Sequence, residues 1–199
     1  MKVRVVRGKA KWRAHFARLT LGSAPEMFPA LFGPRVKDVL AYTFDRPHNL
    51  FNYQYSYFAL AKGEPVGMVM INDYEDKPGT FLPMAFDLLK AMGPGIIPHA
   101  SGILKTDSLM GQTEKDQCYF WGFCVDEKYR GVGVGTQLLE RTCEDAKERG
   151  QTHMLLDVET WNKDAMRFYK RNGFKKKGKM YEIPLGKKTF KYYAMLKEL

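Results

Sequence analysis

The sequence predicts one α/β (α+β) domain on three observations. Short β-branched or alternating runs read as strands, helical stretches lie between them, and a glycine-rich loop carries one strand directly into a helix. With 199 residues, 45% hydrophobic and 27% charged, the chain is long enough for one core and too apolar for a disordered segment. Residues 1–199 therefore read as a single domain, with a helical insertion at about 72–117.

Val3 to Val6 is a short strand, and Ala10 to Leu40 reads as two helices broken by Gly22, Pro25 and Gly33-Pro34. Tyr55 to Leu60 and Val66 to Ile71 are apolar runs joined by Lys62-Gly63-Glu64-Pro65, the turn chemistry of an antiparallel hairpin. A turn at Lys77-Pro78-Gly79 leads to helical text from Phe81 to Met92, with Pro83 expected to kink or delay it. Gly93-Pro94-Gly95 and a weak helix near Ser101 to Met110 follow. Tyr119 to Val125 is a strand, and Gly133 to Arg149 is a helix with Leu138, Leu139, Thr142 and Ala146 on one face, ended by Gly150. Met154, Leu156 and Val158 alternate as a strand, Asn162 caps a helix that closes at Asn172-Gly173, and Phe174 to Ile183 with Thr189 to Leu196 forms a last antiparallel pair.

No apolar run reaches the roughly 18 residues needed to span a bilayer, and charges interrupt the N-terminal segment where a signal peptide would be apolar. A cytoplasmic protein without membrane association is expected. Cys118, Cys124 and Cys143 lack disulfide or zinc spacing, and the four histidines lack metal spacing, so reduced thiols and no metal are expected. The net charge of +10 calls for an anionic partner, which a polyanionic nucleotide cofactor satisfies as well as a nucleic acid. Lys175, Lys176, Lys177, Lys179, Lys187, Lys188 and Lys191 concentrate that charge near the C-terminus.

The strongest signal is Val125-Asp126-Glu127-Lys128-Tyr129-Arg130-Gly131-Val132-Gly133-Val134-Gly135, a strand running through glycines into a helix. Such a loop presents backbone N–H groups at a helix N-terminus, where the macrodipole favours a phosphate, and its glycines permit close approach. It lacks the Lys-Ser or Lys-Thr of a P-loop and the spacing of a dinucleotide fingerprint.

Arg130, Gly133 and Gly135, followed by Leu156-Asp157-Val158, Asn162, Ala165, Phe168-Tyr169 and Gly173-Phe174, resemble the two signatures of the GNAT superfamily of acetyl-CoA-dependent N-acetyltransferases. The match is close from Tyr119 to Phe174. It implies a GNAT-type mixed, mostly antiparallel sheet of six to seven strands, helices on both faces and a splayed central parallel pair. It also implies acetyl-CoA as cosubstrate and direct transfer of the acetyl group to an amine. By position, Arg130, Gly131, Val132, Gly133, Val134, Gly135 and Thr136 would hold the pyrophosphate. Phe123, Cys124 and Val125 would pair with the pantetheine arm as an added strand, and Asn162 and Phe168 would meet the same arm.

The resemblance makes Tyr169 the proton donor to the leaving thiolate. Asp157 stands where the similar ribosomal-protein N-terminal acetyltransferases carry a glutamate proposed as base, with Glu159 on the same strand face as the alternative. The strand Tyr119 to Val125 has no carboxylate, unlike family members that place their base there. Bland roles compete: Asn162 as helix cap, Tyr169 as core filler, Asp157 and Glu159 as solvated strand residues, Cys124 as a small buried hydrophobe, the lysines as a solvated face. The rival function is a non-catalytic acetyl-CoA-binding sensor or interaction module. A nucleic-acid partner is disfavoured, since charge alone supports it. The acceptor amine, the base, the oligomeric state (a homodimer is open) and any lid role of residues 72–117 are not fixed by sequence.

Overall fold

The computed structural model describes residues 1–77 and 79–199, so Pro78 of the expected turn lies outside the described residues. Seven strands, β1 (Arg4–Arg7), β2 (Ser56–Ala61), β3 (Glu64–Asp73), β4 (Gln117–Val125), β5 (His153–Glu159), β6 (Lys175–Leu185) and β7 (Lys188–Glu198), form one sheet in the order β1-β2-β3-β4-β5-β7-β6. Every neighbouring pair is antiparallel except β4 with β5.

Local chemistry accounts for the elements. Lys62 and Gly63 both take positive φ (52° and 89°), the backbone of a two-residue hairpin turn between β2 and β3. Helix α1 (Arg13–Ser23), α2 (Met27–Phe32) and α3 (Val36–Thr43) occupy the stretch where two helices were expected. Gly22 does not break α1. A Cβ there would stand 3.0 Å from the Cys124 sulfur, so this glycine serves a close approach of helix to sheet. Helix α4 (Phe81–Met92) starts on time despite Pro83, because a first-turn residue has no intrahelical N–H bond to lose. A 3-10 stretch (Gly93–His99) and α5 (Ala100–Leu109) follow. In α6 (Val134–Glu148), Leu138, Leu139, Thr142 and Ala146 are buried, as their spacing predicts. Asn162 caps α7 (Lys163–Arg171), its side-chain oxygen accepting from the Ala165 N–H at 3.0 Å.

The sheet separates two apolar clusters. On one face α1 to α4 cover Phe58, Leu60, Met68 and Met70, with Phe16 and Phe44 stacked at 4.3 Å. On the other, α6 and α7 cover Val69, Ile71, Phe120, Leu156 and Val158. Among the described residues, no helix is long and apolar enough to cross a membrane.

Candidate active site

Strands β4 and β5 pair only at Gln117–His153, Cys118–Met154 and Tyr119–Leu155. Past Tyr119, β4 stays bound to β3 and β5 to β7, so the two parallel strands diverge. A bulge sharpens the divergence. Met68 opposes Cys124 while Met70 opposes Trp121, so Gly122 and Phe123 share one partner position, and Gly122 takes φ 61°. The extra residue reverses which face receives each side chain, sending Phe123 towards α7 and Cys124 towards α1. The β4 edge that faces β5 beyond Tyr119 is thereby left without a strand partner among the described residues.

The loop after β4 closes with the Arg130 guanidinium donating through Nε to the Val125 carbonyl at 2.8 Å. Gly131 and Gly133 have φ of 74° and 87°, which turn the chain into α6. Gly135 sits in the first turn of α6, where a Cβ would meet the Phe123 ring at 3.0 Å and Phe168 at 3.5 Å. The first backbone N–H groups of α6 have no intrahelical acceptor and point out of its N-terminus. Arg130, Gly131, Val132 and Gly133 are exposed, and Gly135 and Thr136 are partly exposed; Val134 is buried in the core. This cradle of donors and bare backbone suits an anion. The Nε of Arg130 is spent on fixing the loop.

A cavity of about 260 Å³ opens where β4 and β5 part. Phe123, Asp157, Glu159, Asn162 and Tyr169 all line it, whereas Arg130 to Thr136 lie outside its walls. Tyr169 is 7% exposed. Its ring is held by Phe120, Phe123, Phe168 and Phe174 at centroid distances of 6.3, 6.1, 5.5 and 5.6 Å, and Phe123 stacks on Phe168 at 5.4 Å. Burial, with the nearby Cys124 thiol, raises its pKa above that of a free phenol. Cys124 is buried and its thiol is also pushed up, which makes it a poor nucleophile.

Asp157 Oδ2 accepts from the Gly111 N–H at 2.9 Å and from the Tyr119 hydroxyl at 3.1 Å. The Tyr181 hydroxyl approaches the same carboxylate without closing a bond of good geometry. Burial raises the Asp157 pKa, and the hydrogen bonds oppose that rise. The small surface that Asp157 and Tyr119 keep accessible belongs to the cavity wall. Glu159 accepts from the Tyr192 hydroxyl at 3.2 Å and from the Trp161 indole, and burial raises its pKa too. Asn162 is both the α7 cap and a cavity residue.

The remaining walls come from residues to which the sequence assigned no site role, Met84 and Leu88 being foreseen only as apolar residues of the 72–117 insertion. Met27, Phe28, Leu31 and Phe32 of α2, Leu50 and Phe51, Asn72 and Lys77, Met84 and Leu88 of α4, Ile103 and Asp107 of α5, and Tyr119 and Trp121 of β4 all contribute. The Trp121 indole donates to Asn72 Oδ1 at 2.5 Å. Lys77 donates to the Met110 carbonyl at 3.2 Å, and burial lowers its pKa. Apart from Met84 and Leu88, they are brought in by tertiary packing. Among the described residues, no group of three or more His, Cys, Asp or Glu side chains is placed to hold a metal ion.

Comparison with known proteins agrees with this architecture. Over 91 residues the chain is 33% identical to N-alpha-acetyltransferase 30 of Schizosaccharomyces pombe, covering 45% of this chain and 59% of that protein. Over 53 residues it is 47% identical to an uncharacterised N-acetyltransferase of Methanocaldococcus jannaschii, covering 27% of this chain and 24% of that one. The matched segments thus span less than two thirds of either relative. Among solved structures, an acetyltransferase crystal structure superposes with a TM-score of 0.70 at 25% identity over 98% of both chains. An N-acetyltransferase from Staphylococcus aureus Mu50 shares the fold with a TM-score of 0.71 at 18% identity, covering 97% of this chain and 99% of that one. A model of the acetyltransferase (GNAT) family matches residues 24–174, from the end of α1 to the start of β6. The glycine turn into α6, the parted strands and the cavity between them all fall inside that match, and the chain belongs to the GNAT acetyltransferase family.

Proposed function

We propose that the chain transfers the acetyl group of acetyl-CoA directly to an amine. The observation that carries this reading is the place of the cavity at the parting of β4 and β5. Asp157 and Tyr169 both line it, and its wall residue Phe123 packs against Gly135 in the first turn of α6. The N–H groups of Val132 to Thr136 suit the pyrophosphate, and the open edge of Phe123, Cys124 and Val125 suits the amide-bearing pantetheine arm. Acetyl-CoA supplies an activated thioester. Asp157, with Oδ2 pinned by two donors, presents Oδ1 to take the proton that the attacking amine must lose. Tyr169 keeps its proton until the thiolate leaves, because its raised pKa lies above that of a thiol. Glu159, nearer Trp161 at the cavity mouth, is the second carboxylate on the same strand face.

A binding module without catalysis would have no use for an acid and a base in one cavity, which favours the enzyme. The test is acetyl-CoA-dependent thiol release across a panel of amines, beside the acetyl-CoA-induced rise in melting temperature. A thermal shift with no release for any amine would leave the sensor reading standing.

The segment between β3 and β4 is proposed to be the acceptor-side wall. Its Met84, Leu88, Ile103 and Asp107 line the cavity, and Gly111 holds Asp157. Met84 and Leu88 are also buried against α3 and the core, so we infer that α4 is fixed and any motion is confined to the stretch from Gly93 onward. Replacing residues 93–109 with a short Gly-Ser linker should preserve the acetyl-CoA thermal shift and raise the acceptor KM. An unchanged KM would remove this segment from acceptor binding.

A further inference from the structure

The cavity is chemically divided, and the division bears on which amine it takes. Asp157 and Glu159 stand on one strand face, and every hydrogen bond their carboxylates accept comes from a neutral donor. Of the other acids in the lining, Asp73 is bound by Arg149 at 2.7 Å, and Asp107 shares the charge of Lys77 with Asp157. One lysine shared by Asp107 and Asp157, with no cation beside Glu159, leaves partly buried carboxylate charge that is costly unless something supplies the balance. Beside them the Tyr169 side chain, 7% exposed, lines the cavity with its hydroxyl in no hydrogen bond among the described residues. The walls from α2, the Leu50-Phe51 loop and α4 are of the opposite character: Phe28, Leu31, Phe32, Leu50, Phe51 and Leu88 present no polar side-chain atom.

Resting on the acetyl-transfer reading above, we propose that the acceptor is a primary amine carried as a single cation on an apolar body about the size of one ring. Its ammonium supplies the counter-charge that Glu159 lacks and that Asp157 only shares with Asp107, and one of the two then takes its proton. Size agrees, since a dry cavity of about 150 Å³ accepts benzene, and about 260 Å³ leaves room for a ring with a short arm beside the thioester. A polyamine whose first ammonium lies between Asp157 and Glu159 would carry its second along the apolar walls of α2 and α4, away from both carboxylates. An α-amino acid would bring its carboxylate up to Asp157 and Glu159. A peptide N-terminus would have to lead its chain back out past Trp161, since Met27, Phe32 and Met84 close the opposite walls with core packing.

The test is kcat/KM for acetyl-CoA-dependent thiol release with five amines: 2-phenylethylamine, hexylamine, spermidine, phenylalanine and a short peptide with a free N-terminus. The first two should exceed the other three by roughly tenfold or more, as expected when a buried charge is left unpaired. Equal or better use of spermidine, phenylalanine or the peptide would overturn the inference. Release with none of the five would overturn the acetyl-transfer reading itself, and this inference with it. Leu50 is a partly exposed loop residue, so Leu50→Asp places a carboxylate on the apolar wall at small risk to the core. It should raise the spermidine to phenylethylamine ratio about tenfold. An unchanged ratio in a variant of wild-type melting temperature would remove the amine's body from that wall, and the wild-type panel decides the case should the variant not fold.

Discussion

The two faces of the sheet are built in different ways. Under α6 and α7, Phe120, Phe123, Gly135, Phe168 and Tyr169 come from four consecutive elements of chain, strand to helix to strand to helix, and their contacts are set by short-range turns. Under α1 to α5, the cavity takes single residues from stretches as far apart as Ser23 and Tyr192. The first face depends on backbone geometry that few sequences satisfy. The second depends only on filling space, so its residues can change as long as volume and charge are kept. Cofactor binding should therefore fail through one glycine, and acceptor choice should drift through many side chains.

Substitutions on each side sharpen that contrast. The largest effect is expected from Gly133→Asp, which puts a side chain on φ 87° and a negative charge where phosphate would sit. The acetyl-CoA-induced rise in melting temperature should vanish, and a normal shift in the folded variant would take the loop out of the site.

Next is Asp157→Asn, expected to lower kcat/KM by on the order of 10²- to 10⁴-fold while making the protein more stable at neutral pH. The sign follows from the raised pKa. Stability that depends on protonated Asp157 is complete below the unfolded value of about 3.9 and is lost as pH rises through the higher folded value. Asparagine does not titrate, so its advantage in melting temperature should widen from acid to neutral pH. A constant gap would mean that burial of the carboxylate is not the cause.

Tyr169→Phe should lower kcat by about ten- to a hundredfold with little change in acetyl-CoA affinity, the pattern of an interaction made chiefly in the transition state. Equal loss in both would make the residue a packing element among its four aromatic neighbours. The smallest change is expected from Tyr119→Phe. It removes one donor from Asp157 Oδ2, raises the carboxyl pKa further and moves the acidic limb of the kcat/KM profile to higher pH. A profile lowered in height but unmoved in pH would separate Tyr119 from the proton transfer.

The same contrast explains what the sequence disclosed. The strands, their hairpins and the α6 and α7 helices were legible because the period of apolar residues, the Lys62-Gly63 turn and the Asn162 cap act within a few residues of chain. Gly133, Tyr169 and Asp157 were singled out by the resemblance, through motif spacing. Gly22 misled, since its reason for being glycine is the Cys124 sulfur, about a hundred positions away in sequence. Pro83 misled because its effect depends on where the helix begins. Asn72, Lys77, Trp121 and the α2 side chains gave no signal, since nothing local distinguishes a cavity wall from ordinary core.

Two of the chain's three tryptophans flank the cavity: Trp121 in its wall, bonded to Asn72, and Trp161, 64% exposed, bonded to Glu159. The third, Trp12, lies in the core beside Phe58, 5.1 Å between ring centroids. An indole emits at shorter wavelength when water leaves its surroundings, and its brightness responds to nearby charge. The placement therefore gives the protein an optical reporter of its own. Acceptor arriving beside Glu159 should alter Trp161 emission before any acetyl group moves, so that encounter and turnover can be timed in one stopped-flow trace without a label.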